Sequence, residues 1–256
     1  VRTWRRRRGR GHRRAPYGRV GTVQESDLVE LDVGPEPAQR AAAWIARRLR
    51  DATRCRSTAS LALSGGSTAP PLLDALLGHD VAWDRVEVWQ VDERIAADGH
   101  AARNANQLAG VAERARVRLM PVTSGDLRAA AHRYAASLPE RFDVVHLGLG
   151  SDGHTASWPP DRPEVANSDR AVELVEIFNG WPRMTLTRRV VDDARARLVL
   201  ATGASKRPIV ERWLRGDRSV RIAWIRRSGT RVVLDDEAAP PGHHDEGVGT
   251  HGYGAG

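Results

Sequence analysis

Apolar positions recur along the chain in two periods, and their alternation sets out the fold. Runs of strand character occupy residues 61–63, 86–91, 117–120, 144–148, 171–178, 198–201 and 231–234. Residues 20–31 offer an edge strand, 183–187 alternate after a turn at 179–182, and 222–226 supply another strand candidate. Helical spacing appears between them. It covers 36–51 (Ala42, Ile45, Ala46, Leu49), 70–77 with Pro70 and Pro71 opening and Gly78 closing, 104–113, 127–138, a stretch capped by Thr187 through Asp193, and 205–214. The alternation predicts a single α/β domain with a mostly parallel, Rossmann-like central sheet flanked by helices.

One strand carries the most chemistry. Residues 144–148 run into Gly148-Leu149-Gly150-Ser151-Asp152-Gly153-His154-Thr155-Ala156-Ser157, which Trp158, Pro159 and Pro160 close. This places a histidine at the carboxyl end of a core strand, the end where open α/β sheets bind ligands. Gly148, Gly150 and Gly153 match G-x-G-x-x-G, but the dinucleotide fingerprint needs a helix directly after the turn, and two prolines stop one. The glycines read instead as letting backbone approach a small ligand.

Two further strands end in loops of matching character. Ser64, Gly65, Gly66, Ser67 and Thr68 lie between a strand and a helix start, an anion site made of N–H groups, hydroxyls and helix dipole. Without a following Gly-Lys-Ser/Thr, it suits a monophosphate. Asp92-Glu93-Arg94 follows the next strand, where Arg94 offers a bidentate clamp and the alternative is a solvated turn.

Charge changes this picture less than its total suggests. The formal +8 is concentrated in residues 1–19, which hold nine arginines and no acid, so removing those charges leaves the rest near −1. Residues 1–19 read as a disordered arginine-rich extension with no specific nucleic-acid role, 20–238 as the domain, and 239–256 as a disordered Gly/Pro/His-rich tail. Of forty basic residues only Lys206 is lysine, which points to a place where a compact ammonium fits and a planar guanidinium does not. A single cysteine excludes an internal disulfide, and the absence of a long apolar run predicts a cytoplasmic protein without membrane contact. Oligomeric state is not readable from the pattern.

Taken together, Ser64 to Thr68, Asp92-Glu93-Arg94 with downstream Arg103-Asn104, the glycine–histidine turn, and Pro182-Arg183-Met184-Thr185-Leu186-Thr187 followed by Gly203 and Lys206 resemble the 6-phosphogluconolactonase family. The resemblance covers roughly residues 20–238 and implies hydrolysis of 6-phospho-D-glucono-1,5-lactone with no cofactor and no metal. A histidine titrating near neutrality suits the general base, His154, with Asp152 either its orienter or a turn residue bonding its own backbone, and the substrate's phosphate and sugar fall to Ser64, Gly65, Gly66, Ser67, Thr68, Asp92, Arg94, Gly150 and Lys206. Backbone N–H groups within 148–153 are expected to bind the oxyanion. Ser157 offers a rival nucleophile, although no G-x-S-x-G elbow exists in the chain. An aminosugar-phosphate deaminase or isomerase shares the architecture but is opposed by His154-Thr155-Ala156-Ser157, and a sugar-phosphate sensor by the lack of a base-reading segment. Trp158 and Trp181 stand where the family carries other residues, as core packing or as sugar-stacking rings.

Overall fold

The computed structural model describes residues 29–242. In chain order the elements are β1 (Glu30–Val33), α1 (Pro37–Arg56), β2 (Ala59–Leu63), α2 (Ala69–Leu77), β3 (Val86–Gln90), β4 (Asp92–Arg94), α3 (Ala109–Ala112), β5 (Arg116–Arg118), α4 (Leu127–Ser137), β6 (Val144–Gly148), α5 (Pro163–Ala166), β7 (Val172–Phe178), β8 (Trp181–Leu186), α6 (Arg188–Asp193), β9 (Ala196–Ala201), α7 (Arg207–Leu214) and β10 (Thr230–Leu234). Seven strands form one sheet in the order β1-β10-β9-β6-β2-β3-β5, every pairing parallel. Among the described residues no helix is long and apolar enough to cross a membrane.

The strands are apolar on both faces because both are covered. Val144 and Leu198 join the core beneath α1 and α2, where α1 buries Ala41, Ala42, Ile45, Ala46 and Leu49 as one helical stripe. Val145, Leu147 and Val199 point the other way, into the core shared with α4 and α7 through Tyr134, Val210 and Trp213. Helix α1 runs past the expected end at Asp51 because Ala52 and Thr53 continue its buried stripe; Ser57 then stops it in the left-handed region at φ 67°. At the outer edge, Arg231 on β10 donates to Asp32 on β1 (2.7 Å), 199 positions away in the chain.

Several expectations need correction. Asp92-Glu93-Arg94 is no solvated turn: it is β4, paired antiparallel with β8 in a second sheet of order β4-β8-β7, and Asp92 and Glu93 are buried. The turn before β8 is only Asn179-Gly180, both at positive φ as a two-residue hairpin requires, so Trp181 and Pro182 belong to the strand. Residues 222–226 form no strand. Arg221–Trp224 is a 3₁₀ turn that buries Ile222 and Ile225, three positions apart, with Ile222 N–H donating to Gly153 C=O (3.0 Å). The stretch 104–113 is mostly 3₁₀, Asn104–Leu108, followed by the short α3. Ala239, expected at the start of a disordered tail, is buried, with its N–H on Asp235 C=O (3.2 Å). The expectations for residues 1–19, for the 20–28 part of the edge strand and for 243–256 lie outside the described residues.

Among the described residues, one buried titratable side chain has no hydrogen-bond partner at all. His146 lies on the α1 side of β6, fully buried, and neither ring nitrogen finds a partner. Burial pushes its pKa down to about 4, from 6.5 when exposed. The folded state therefore binds this proton less readily than the unfolded one, so stability is unaffected above 6.5 and drains away as pH falls from 6.5 to 4. Fully developed, that loss is about 3 kcal/mol. His146→Leu is expected to flatten this acid limb and to raise stability at pH 5; urea unfolding of both proteins across pH 4–8 checks it, and parallel curves would show that the histidine titrates alike in the folded and unfolded states.

Candidate active site

Three neighbouring strands, β9, β6 and β2, deliver their loops to one edge of the sheet, and β4 and β8 close that edge from the side. Between them lies a cavity of about 190 Å³ lined by Ser64, Gly65, Gly66, Ser67, Thr68, Asp92, Arg94, Gly150, His154 and Lys206, with Asn104 and Arg183 among the others. All the site residues expected from the chain pattern thus converge there except Asp152, which stands behind His154. A larger cavity of about 790 Å³ opens at the opposite, amino-terminal edge of the sheet. Its one buried carboxylate, Asp143, is already met by Arg56, Arg195 and the Ser60 N–H, so it presents matched charges.

The loop after β2 is held as a cradle. Ser64 N–H joins His146 C=O (3.2 Å), and the Gln107 amide grips Gly66 at both its N–H (3.2 Å) and its C=O (3.3 Å). Gly66 sits at φ 115°, open to glycine alone. Its N–H is spoken for, whereas no protein acceptor among the described residues takes those of Gly65, Ser67 or Thr68. Pro70 and Pro71 start α2 immediately afterwards, adding a helix N-terminus to the same side.

The turn after β6 builds the histidine. A Cβ on Gly150 would stand 2.1 Å from His154 Nδ1, so only glycine leaves room for the ring. Asp152 accepts the His154 backbone N–H (3.1 Å) and contacts ring Nδ1 through the same oxygen. Burial raises the Asp152 pKa, but the His154 backbone N–H, the imidazole charge and the ring hydrogen bond outweigh it and leave the carboxyl below its ordinary value. An anionic acceptor at Nδ1 fixes the tautomer with Nε2 unprotonated. Phe178 meets the ring edge-on at 4.9 Å. The turn continues through the Thr155 hydroxyl, which donates to Gly148 C=O (2.8 Å), into turns and the four-residue α5, so no helix receives a pyrophosphate. Part of the expected oxyanion set is otherwise engaged: Gly150 N–H serves His154 C=O (2.8 Å), Gly153 N–H serves Gly150 C=O (3.0 Å), and Gly148 belongs to the sheet ladder, whereas no protein acceptor among the described residues takes the N–H of Leu149 or Ser151.

Charge enters from three elements. Lys206 is not inside α7; it ends a 3₁₀ turn at Ala204–Lys206 and occupies the cap position before Arg207, because Pro208 suits the first helical turn. Burial lowers its pKa, and Asp152 opposes that shift. Arg94 donates to Ala102 C=O (2.6 Å) while its buried Nε has no partner. Arg183, missed as an individual site residue although its segment was noted, is buried beside Asp92 (3.6 Å) and Ser157 Oγ (3.4 Å). Its guanidinium lies over the Phe178 ring at 5.3 Å, and burial lowers its pKa against the pull of Asp92.

Three other candidates fall to the structure. Ser157 is wholly buried, donates to Asp92 (2.6 Å) and does not line the cavity, which removes it as a nucleophile. Trp158 is core, its indole N–H on Leu186 C=O (2.8 Å), and Trp181 packs edge-on against His100 at 4.8 Å; neither lines the cavity. The missed organiser is Glu93. Its fully buried carboxylate takes the N–H groups of Arg94 (2.7 Å), Asn104 (2.7 Å) and Ala105 (2.8 Å) and the Gln90 amide (2.8 Å), with the Arg103 guanidinium at 3.1 Å as an ion pair off the hydrogen-bond line. Adjacent charges after a strand gave no signal of this; only the downstream Arg103-Asn104 hinted at a partner.

With this geometry in hand, residues 34–234 match the family model for glucosamine-6-phosphate isomerases/6-phosphogluconolactonase. The chain belongs to that family. It is 41% identical over 187 residues to a 6-phosphogluconolactonase of Mesorhizobium japonicum, covering 68% of this chain and 79% of the relative. It is also 34% identical over 232 residues to one of Streptomyces coelicolor, covering 79% and 89%. The solved 6-phosphogluconolactonase of Shewanella baltica superposes with a TM-score of 0.73 at 26% identity, over 81% of this chain and 97% of that one. A monomeric glucosamine-6-phosphate deaminase shares the fold at 16% identity and a TM-score of 0.65. The arrangement of His154 and Asp152 at this edge generates a direct expectation. Asp152→Asn replaces the anion at Nδ1 and is expected to lower kcat roughly ten- to a thousandfold with KM changing far less. Steady-state kinetics check it; an unchanged kcat would leave Asp152 a turn residue.

Proposed function

We propose that the protein hydrolyses 6-phospho-D-glucono-1,5-lactone to 6-phospho-D-gluconate, the lactonase step of the oxidative pentose phosphate route. The observation that carries this reading is the shared cavity: a carboxylate-oriented imidazole faces the same small space as Lys206, Arg94 and the Ser64–Thr68 cradle. A lactone ester needs an activated water beside the carbonyl and a fixed grip elsewhere on the molecule, and this arrangement supplies both.

In the reaction, His154 Nε2 accepts a proton from water while the water oxygen adds to the lactone carbonyl carbon. Asp152 stabilises the imidazolium through Nδ1–H. The tetrahedral oxyanion collapses by breaking the bond between carbonyl carbon and ring oxygen, and His154 returns its proton to that oxygen. The phosphate is held by the Gly65, Ser67 and Thr68 N–H groups, the α2 N-terminus and Lys206. Arg94 and Arg183 supply positive charge on the side of the cavity formed by β4 and β8. Among family activities the lactonase is favoured over the aminosugar deaminase by the names of the relatives and by His154-Thr155-Ala156-Ser157.

The decisive assay is hydrolysis by the purified protein above the spontaneous rate of the lactone. His154→Ala is expected to fold normally and lose roughly 10²–10⁴ in turnover; near-normal turnover would remove it from the mechanism. Lys206→Ala is expected to raise KM for the phosphorylated lactone roughly tenfold to a hundredfold, the effect of one charge-assisted hydrogen bond. Slow hydrolysis of the unphosphorylated lactone should scarcely change, and equal losses on both substrates would assign the lysine to the fold.

A further inference from the structure

Gln107 does not line the cavity, yet it makes two hydrogen bonds to a residue that does. Its Oε1 accepts the Gly66 N–H (3.2 Å), and its Nε2 donates to the Gly66 C=O (3.3 Å), which also takes the Ala69 N–H (3.2 Å). Side-chain packing does not hold this position, because a Cβ on Gly66 would meet no atom within 4 Å. At φ 115° Gly66 lies where glycine moves freely, so its hydrogen bonds are what fix its conformation. Gln107 is itself fixed on both sides. The 3₁₀ segment Asn104–Leu108 that carries it starts on Glu93, through the Asn104 and Ala105 N–H groups, and ends in the buried Leu108.

Each of the two bonds sets one peptide plane. A peptide unit is planar and trans, so the Gly66 C=O and the Ser67 N–H share one rigid plane and point in opposite directions. Nε2 draws that carbonyl toward Gln107 and thereby turns the Ser67 N–H away from it; Oε1 sets the preceding plane, between Gly65 and Gly66, in the same way. Ser67 lines the cavity, and no protein acceptor among the described residues takes its N–H. A primary amide presents an acceptor and a donor side by side, the complement of one residue's N–H and C=O, which neither a carboxylate nor a guanidinium offers. We propose that Gln107 is a positioning residue: its amide clamps the peptide planes on either side of Gly66 and so aims the Ser67 N–H at the substrate's phosphate. This rests on the phosphate grip proposed above.

The test separates phosphate binding from turnover. Wild type, Gln107→Met and Gln107→Glu are compared for KM and kcat on the phosphorylated lactone, for calorimetric binding of inorganic phosphate, and for slow hydrolysis of the unphosphorylated lactone, with thermal melts of each protein to monitor folding. Methionine keeps the length of the side chain and removes both bonds; glutamate keeps the acceptor and removes the donor. Gln107→Met should weaken phosphate binding and raise KM by one common factor, roughly five- to thirtyfold for two neutral hydrogen bonds, with kcat and the unphosphorylated reaction within about twofold of wild type. Gln107→Glu should weaken phosphate binding by roughly fivefold or more. Phosphate binding by Gln107→Met within about twofold of wild type would overturn the proposal, and a loss confined to Gln107→Glu would assign the effect to charge repulsion instead. Equal losses on both lactones would overturn it in favour of a structural role. If the wild type binds no phosphate, the cradle falls and the proposal with it. If the wild type binds phosphate but hydrolyses no lactone, the lactonase reading alone falls, and the phosphate titrations still decide Gln107.

Discussion

A carboxylate removed entirely from water must be met by donors or it will not stay charged, and Glu93 is the place where that constraint shapes this protein. Its four N–H donors come from three stretches of chain: the end of β3, β4 itself and the 3₁₀ segment at Asn104. Meeting the charge therefore ties the second sheet to the first. Arg94 and Asn104 reach the cavity from backbone that this carboxylate holds, and Asp92 beside it anchors Ser157 and Arg183. The β4–β8 side of the site is built on one buried ion.

The opposite side is built on the absence of side chains. Gly150 clears the space His154 occupies, Gly65 clears the space of the Asn104 amide, and Gly66 bends the cradle into a conformation other residues avoid. Rigid backbone and a small cavity confine the imidazole, the cations and the carboxylates to one neighbourhood, where charges act with little screening. Burial lowers the pKa of both Lys206 and Arg183, the electrostatic cost of keeping cations out of water, which Asp92 partly offsets at Arg183.

What was legible in the chain follows from what is local. Strands covered on both faces announce themselves as apolar runs, and a glycine turn ending in His154 reads directly as a presented side chain, so the parallel sheet, the cradle and the His154–Asp152 pair were all visible. The second sheet was not. Asp92-Glu93-Arg94 has the composition of a solvated turn, and its burial depends on partners some ten to ninety positions away. Arg183 was lost for the same reason: alternation located its strand without saying that the guanidinium turns inward to Asp92. In residues 222–226 apolar content resembles a strand period, although the buried pair is spaced by three, and the engagement of the Gly150 and Gly153 N–H groups is a property of the folded turn that composition does not carry.

The outer edge of the sheet has a consequence for how the protein is made. β1 pairs with β10 alone, and Arg231 completes the edge by meeting Asp32 and Glu30. Those partners are about 200 residues apart, so at roughly 5–20 residues per second a ribosome takes about 10–40 s to deliver the second after the first. Throughout that interval β1 has no neighbour to hold it, whereas α1 already has β2 and α2 to pack on. The nascent chain carries β1 unpaired until almost the whole domain has been synthesised, which leaves this strand exposed during translation.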